Sequence, residues 1–205
     1  DLVSITPGAS VLTIRTSGNV ETLNTSGVLQ ATQKRMPLWI FMQPTAQTTA
    51  GSAIKALPAV STEPENEVNS LHQLSAAILE ALPYQSGATT VDTDAEAALA
   101  GNFGVCQDHA QIFITAARLA KLPARYVSGY LMMNDRIDQD ATHAWAEVHI
   151  EDLGWVGFDV SNGMSPDERY TRIAVGRDAR DAAPIEGLRM GSAEESLMVS
   201  VQVQQ

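Results

Sequence analysis

The stretch "GVCQDHAQIFITAARLAKLPARYVSGYL", residues 104–131, carries the pattern that decides the fold. At 100° per residue, its first half forms a helix whose buried face lies within about 40° of one line. The residues on that line are Cys106, Ala110, Phe113, Ala117 and Ala120. Leu122 and Pro123 end the helix, and "ARYVSGYL" is rich in β-formers. The stretch therefore predicts a buried helix that leads into a strand.

Cys106, the only cysteine of the chain, heads this predicted helix. In the first turn, the positive end of the helix dipole favours thiolate over thiol, and so favours a nucleophile. Gly104 before it allows another backbone to come close. A lone cysteine is also a common small core residue. The nucleophile interpretation therefore needs an imidazole base and an acceptor that orients that base.

Two runs further on, "THAWAEVHI" and "GWVGFDVSNG", predict an antiparallel hairpin around residues 151–154. Alternation places His143, Trp145 and Glu147 on one face of the first strand. If paired residue numbers sum to about 304, Asp159 is the diagonal neighbour of His143 on that face. A register shifted by one would separate them. The hairpin thus offers an imidazole and a carboxylate side by side.

The remaining patterns predict the other elements of an α+β fold. Apolar spacing predicts a helix over about 65–82, and Thr93 with Glu96 predicts a capping box before a short helix that ends near Gly101. Residues 1–35 read as edge or hairpin strands, and residues 196–203 read as a last strand of the main sheet. The resulting prediction is a helix led by Cys106 on an antiparallel sheet of residues near 124–131, 142–150, 155–160 and 196–203.

Composition restricts the class of protein. The 205 residues are 44% hydrophobic and 18% charged, which allows one main domain with a sizeable core. Thirteen basic against twenty-four acidic residues give a net charge of −11, so nucleic acid and anionic membranes are not expected partners. No apolar run approaches the roughly 20 residues of a spanning helix. We expect a soluble protein, and a single cysteine fits a cytoplasmic location.

Four blocks together resemble the bacterial branch of the transglutaminase-like superfamily, a group of cysteine enzymes of the papain-like fold class. They are "GVCQDHAQ", "LPARYVSGYL", "HAWAEVHIEDLGWVGFDVSNG" and "VGRDARDAAPIEG". The four blocks occur in the family's order, with the short spacing between blocks that the family shows. The resemblance covers about residues 60–203. The resemblance implies Cys106 as nucleophile, His143 as its base and acid, and Asp159 as the residue that orients His143.

The resemblance also implies a domain organisation. Residues 65–205 would form the transglutaminase-like catalytic domain, and residues 38–64 a connector packed across it. Residues 1–37 would be the remnant of a larger N-terminal β region. No cofactor and no metal is expected, because one cysteine without a second close-spaced pair is weak evidence for zinc.

His109 departs from the family pattern, which usually has a large aromatic residue at this position. One helical turn from Cys106, it could perturb the thiol or compete with His143 as its partner. Alternatively, it is a polar tip at the rim of the packed face. We expect His143, and not His109, to lie within about 4 Å of the Cys106 sulfur, because His109 is expected to have no acceptor comparable to Asp159.

The function implied by the resemblance is acyl transfer from the amide of a peptide or protein through a thioester on Cys106. Hydrolysis is the preferred outcome, by analogy with bacterial relatives. Transamidation, which cross-links proteins, is an alternative because it shares the chemistry up to the thioester. The third possible function is a non-catalytic binding or assembly module on the same scaffold. Substrate identity and oligomeric state are not specified by the sequence.

Overall fold

The computed structural model describes residues 4, 8–29, 36–133, 138–139, 142–187 and 199–203. Its helices are α1 (Ser52–Lys55), α2 (Pro64–Ala81), α3 (Ala95–Gly101) and α4 (Cys106–Leu119), with short 3₁₀ helices at Leu38–Met42 and Ala46–Thr48. Its strands are β1 (Val28–Leu29), β2 (Ala124–Leu131), β3 (Asp138–Gln139), β4 (His143–Ile150), β5 (Gly154–Phe158), β6 (Tyr170–Gly176) and β7 (Val201–Gln202). The fold is α+β, as predicted.

An antiparallel five-stranded sheet of order β1-β5-β4-β2-β6 forms the framework. In the β4–β5 hairpin, Ala146 pairs with Phe158 and Glu147 with Gly157, so the register has the sum of 304 that makes Asp159 a neighbour of His143. Both faces of β4 are buried, apart from a half-buried His149. The central position of β4 fixes the place of His143 at its first residue.

Helix α4 is the buried core of the molecule, and every residue from 108 to 118 is buried. Its apolar side chains pack on the inner residues of β2, β4 and β5, and Phe113 stacks on Phe158 with ring centroids 5.0 Å apart. Burying a side chain of this size contributes roughly 1.5–3 kcal/mol. The helix that carries Cys106 is therefore fixed along most of its length.

Helix α2 confirms the prediction of a helix over about 65–82. Pro64 occupies the first turn, where its missing N–H removes no helical hydrogen bond. Leu71, Leu74 and Ile78 form its buried face and pack into the same core as α4. The helix ends before Pro83, which cannot continue the helical hydrogen-bond pattern.

The predicted capping box of Thr93 and Glu96 is wrong, although α3 ends at Gly101 as predicted. Asp94 caps α3 by accepting from the Ala97 N–H at 2.8 Å. Glu96 instead accepts from the N–H groups of Gly51, Ala53 and Ile54 at the start of α1. The carboxylate therefore joins two helices, a long-range use that a local motif cannot reveal.

The segment between residues 38 and 64 packs against the core, as expected of the connector. Arg118 of α4 is buried and joins it to the sheet by hydrogen bonds of 2.6–3.2 Å. The acceptors are the carbonyls of Phe41, Ala124 and Arg177 and the hydroxyl of Thr48. The proposed division of the chain at residues 37 and 64 stays a prediction.

One strand prediction is confirmed in part, and another is wrong. Within the described part of residues 1–35, the only strand is β1, at the edge of the main sheet, and no hairpin forms. Residues 201–202 of the predicted last strand pair with β3 in a separate two-stranded sheet, while residues 196–198 lie outside the described residues. On the side of β2, the edge strand of the main sheet is β6. Alternation predicts that a segment is extended, but it does not select the partner strand.

Candidate active site

Cys106 is the first residue of α4 and is half-buried. The strand-like segment before it is held by backbone hydrogen bonds, since Gly104 donates to the Pro83 carbonyl and accepts from the Gln85 N–H at 2.8 Å. A Cβ on Gly104 would lie 2.8 Å from Leu82 and 2.9 Å from Asp108. The glycine thus permits the close approach predicted from the sequence.

Asp108 fixes the start of the helix. It is fully buried, and its Oδ2 accepts from the Val105 N–H at 2.8 Å and from the Thr89 hydroxyl at 2.6 Å. This is the structural role expected of an acidic residue in the first turn. The position of Cys106 at the positive end of the dipole therefore depends on local side-chain capping as well as on core packing.

His143 contacts both of its predicted partners. Its Nε2 lies 2.6 Å from Oδ2 of Asp159, and Cys106 is close enough to the ring to raise the pKa of His143. Because Nε2 is held by Asp159, Nδ1 is the nitrogen available to the thiol. The ring is 9% exposed and lies beside Trp145 and Tyr170. The structure thus brings Cys106, His143 and Asp159 together in the predicted order.

Asp159 is fully buried and accepts four hydrogen bonds. Its Oδ2 accepts from His143 Nε2, from Asn162 Nδ2 at 2.7 Å and from the Tyr170 hydroxyl at 2.8 Å, and its Oδ1 accepts from the Asn162 N–H at 3.2 Å. Asp159 also pairs through its backbone with Met164, which closes a turn over residues 159–164. We call this segment the 159–164 turn. It holds the carboxylate in one orientation.

The ionisation of the site follows from these contacts. Burial lowers the pKa of His143, but the hydrogen bonds and charges of Asp159 and Cys106 outweigh it and raise that pKa to about 10. Burial raises the pKa of Asp159, but the hydrogen bonds from His143, Asn162 and Tyr170 and the charge of His143 lower it below its usual range. At neutral pH His143 is therefore an imidazolium next to the Asp159 carboxylate.

His109 is not a partner of Cys106, but the expectation that it lies at the rim of the packed face is wrong. It is 1% exposed, and so it lies inside the packed face and not at its rim. Its ring does have acceptor and donor partners, since Nε2 lies 2.7 Å from the Leu82 carbonyl and Nδ1 lies 2.7 Å from Ser161 Oγ. Burial lowers the pKa of His109 despite the Leu82 bond and the nearby acidic residues.

Sequence reasoning missed Asn162 and Tyr170. Asn162 lies in "SNG" directly after the predicted strand, where asparagine reads as an ordinary turn residue. Tyr170 comes from β6, which was not predicted, and its ring packs at 5.4 Å against Trp145 in an edge-to-face contact. Its pKa is raised by burial and by Asp159. Only the chain fold could place it on Asp159.

The remaining tryptophans and histidines make no hydrogen bond to Cys106, His143 or Asp159 among the contacts of the described residues. Trp145 and Trp155 are buried packing residues. His149 contacts the ring of Trp155, and exposed His72 contacts that of Phe158. Among the described residues, no three His, Cys, Asp or Glu side chains are grouped as a metal ion would require. None of the described helices is long and apolar enough to cross a membrane.

Comparison with known families assigns the class of the protein. The model of the Transglutaminase-like superfamily matches residues 55–160, just over half of the chain, and these residues include Cys106, His143 and Asp159. The chain therefore belongs to the transglutaminase-like superfamily.

Similar individual proteins are known from mycobacteria. An uncharacterized protein of Mycobacterium tuberculosis is 39% identical over 147 residues, which are 66% of this chain and 47% of that protein. An uncharacterized protein of Mycobacterium leprae is 31% identical over 170 residues, 79% of this chain and 59% of that protein. The chain thus spans about half the length of the curated relatives it matches.

A solved structure shows the same fold. The crystal structure of a "Putative Cysteine Protease" from Cytophaga hutchinsonii superposes with a TM-score of 0.64 and 24% sequence identity. The match covers 90% of this chain and 63% of that chain. The similarity extends beyond the residues matched by the family model and supports the α+β architecture as a whole.

Proposed function

We propose that this protein is a cysteine peptidase or amidase that acts on an amide of a peptide or protein through a thioester on Cys106. The observation that carries the proposal is the position of His143, whose Nε2 lies 2.6 Å from Asp159 and whose pKa is raised by both Asp159 and Cys106. A thiol nucleophile needs such a base, and the base needs an acceptor that fixes its tautomer. Membership of the transglutaminase-like superfamily supports thiol chemistry at this site.

Acylation follows from the charges of the three residues. The Cys106 thiolate attacks the amide carbonyl carbon and forms the C–S bond, and the carbonyl electron pair moves to oxygen. The Cys106 N–H, in the first turn of α4, is one of the donors without an intrahelical acceptor and can stabilise that oxyanion. When the C–N bond breaks, the His143 imidazolium donates its Nδ1 proton to the leaving amine. The products are a thioester and a neutral imidazole.

Deacylation reverses the role of His143. The neutral ring accepts a proton from a water molecule, whose oxygen attacks the thioester carbonyl, and the C–S bond then breaks to restore the thiolate. The same step with a primary amine gives a new amide, which is transamidation. Hydrolysis is our leading proposal by analogy within the family, and transamidation is the alternative.

A non-catalytic binding or assembly module is the second class of function. A scaffold that only binds a partner does not need a thiol, an imidazole and a carboxylate joined in one line. It also does not need donors from Tyr170 and Asn162 on a buried Asp159. The geometry therefore favours turnover over binding alone.

Mass spectrometry of the acyl-enzyme tests the proposal. Purified protein is mixed with glutamine-containing or isopeptide-containing peptides and quenched in acid, which preserves thioesters. We expect an adduct on Cys106 that forms in the wild type and is absent from the Cys106→Ala variant. Adding a primary amine then separates the two outcomes, because a transamidase releases an amine-linked product whereas a hydrolase releases the acid. Absence of any adduct across a broad peptide set, together with an unreactive thiol, would favour the binding module.

A further inference from the structure

One buried imidazole links three segments that surround the candidate site. His109 lies on α4, one turn after Cys106, and is 1% exposed. Its Nε2 contacts the carbonyl of Leu82, directly after α2, and its Nδ1 contacts the hydroxyl of Ser161, each at 2.7 Å. The ring thus connects the helix of the predicted nucleophile to the turn that carries Asp159.

The partners define the protonation of the ring. A carbonyl oxygen can only accept a hydrogen bond, so Nε2 of His109 carries the proton and donates to Leu82. Nδ1 then has a lone pair, and it accepts from the Ser161 hydroxyl. A neutral ring satisfies both partners without introducing a charge into the core. The pair is therefore a neutral polar connection, unlike the charged pair of His143 and Asp159.

Ser161 is the residue through which this connection reaches the site. It lies between Asp159 and Asn162 in the 159–164 turn, and Asn162 donates to Asp159 through both its N–H and its side chain. Fixing the Ser161 side chain fixes the backbone that presents these two residues. A phenylalanine at position 109 could fill the same volume, but it would leave the Leu82 carbonyl and the Ser161 hydroxyl without this partner.

We propose that His109 and Ser161 form a positioning pair, which holds the 159–164 turn against α4 so that Asp159 directs His143 at Cys106. Neither residue contacts the reacting atoms, so neither is a catalytic residue. This inference rests on the proposed function, because it describes how the same thiol and imidazole are aligned. It assigns a role to His109 that goes beyond packing.

Four variants test the pair. Ser161→Ala removes the hydroxyl, Ser161→Thr keeps it, and His109→Phe removes both ring contacts. Ser70→Ala is a matched control. Ser70 is a buried serine on α2 whose hydroxyl donates to the Glu67 carbonyl and accepts from the Ser61 N–H, and neither group belongs to the site. The control measures the effect of losing a serine hydroxyl bond from the fold alone.

Two readouts follow the alignment without a substrate. One is the rate of Cys106 alkylation by iodoacetamide at pH 6, and the other is the low-field proton resonance of His143 Nε2–H. Since one hydrogen bond contributes about 0.5–1.5 kcal/mol, we expect Ser161→Ala to slow alkylation about three- to tenfold. His109→Phe should slow it at least as much, and both should shift or broaden the resonance. Ser161→Thr should stay within about twofold of wild type, and Ser70→Ala should not change either readout.

An alkylation rate and resonance of Ser161→Ala equal to those of wild type would overturn the proposal, whatever its melting temperature. The proposal would also be overturned if Ser161→Thr or Ser70→Ala slowed alkylation as much as Ser161→Ala does. The Ser161 hydroxyl would then not be the cause of the slower alkylation. If His109→Phe does not fold, the serine variants alone test the positioning pair. A wild-type thiol that is unreactive at pH 6 would contradict the proposed function itself, whereas a reactive wild type with unaffected variants contradicts only the positioning pair.

Discussion

The two imidazoles next to Cys106 differ in everything except their burial. His143, at the start of β4, is 9% exposed and His109, on α4, is 1% exposed. The pKa of His143 is raised to about 10, while that of His109 is lowered. Burial lowers the pKa of both rings, but only His143 has a carboxylate in direct hydrogen-bond contact, and Asp159 and Cys106 together raise its pKa. Burial alone therefore does not make a histidine functional, and its partners decide the sign of the shift.

The comparison also separates two ways of holding a ring. Asp159 holds His143 through charge, and it is itself held by Asn162 and Tyr170. Leu82 and Ser161 hold His109 through neutral groups. A charged arrangement can exchange a proton with a thiol, whereas a neutral arrangement keeps its proton in place. The charged arrangement of His143 is therefore suited to proton transfer, and the neutral arrangement of His109 is suited to positioning.

The largest expected effect is that of Cys106→Ala. Removal of the nucleophile should abolish amide hydrolysis, because neither His143 nor His109 can form the thioester in its place. Cys106 is half-buried at a helix end, so the fold should stay nearly intact. Turnover assays with circular dichroism as a folding control measure both. Unchanged turnover by the purified variant would contradict the catalytic assignment.

The next effect separates the two histidines directly. His143→Ala should reduce the acylation rate by several orders of magnitude, as loss of a general base in a coupled unit does. His109→Phe should reduce it only about tenfold, through the positioning effect of about one hydrogen bond. Single-turnover acylation rates check the difference. The assignment of the base would be wrong if His109→Phe inactivated the folded enzyme and His143→Ala did not.

A smaller change is expected from Tyr170→Phe. The variant keeps the ring that packs on Trp145 but removes the donor to Asp159, so Asp159 should regain a higher pKa. We expect acylation to slow about three- to tenfold, and the acidic limb of its pH profile to move to higher pH. A variant with a wild-type pH profile would show that His143 and Asn162 are sufficient to hold the carboxylate.

The pH dependence of stability gives the finest distinction between the two histidines. Their contributions to the free energy of unfolding should change with pH in opposite directions. The folded pKa of His143 lies above the unfolded value of about 6.5. Its contribution to the free energy of unfolding is therefore full below pH 6.5 and is lost as pH rises towards 10. The folded pKa of His109 lies below it, so its contribution is present above about pH 6.5 and is lost as pH falls.

Urea unfolding across pH 5–10 measures these slopes. The difference in free energy of unfolding between wild type and His143→Gln should narrow as pH rises. The difference between wild type and His109→Phe should narrow as pH falls. Slopes of the same sign would mean that the two rings share one kind of environment, contrary to the contacts that the structure shows.

Local patterns were sufficient to predict part of this molecule. Helical periodicity identified α2 and α4. Alternation identified the β4–β5 hairpin and the face of His143, while the register that makes Asp159 its neighbour was one of two that the sequence left open. These features depend on residues close in sequence. The resemblance to a family then linked them to Cys106.

The errors concern contacts that local patterns do not encode. Glu96 reaches across 42–45 residues to α1, which no capping motif describes. The position of β6 at the sheet edge, and with it the contact of Tyr170 with Asp159, depends on strand order. The burial of His109 depends on Leu82 and Ser161, which lie 27 and 52 residues away in the sequence. Each of these needs the tertiary fold.

The most direct test of the central claim is the pH dependence of Cys106 alkylation by iodoacetamide, followed by mass spectrometry in wild type and in His143→Ala. An imidazolium beside Cys106 predicts that the wild-type thiol reacts well below the ordinary cysteine pKa of about 8.5, and that His143→Ala reacts only as pH approaches that value. Two superimposable profiles, both rising only near pH 8.5, would contradict a thiolate paired with His143 and with it the proposed nucleophile.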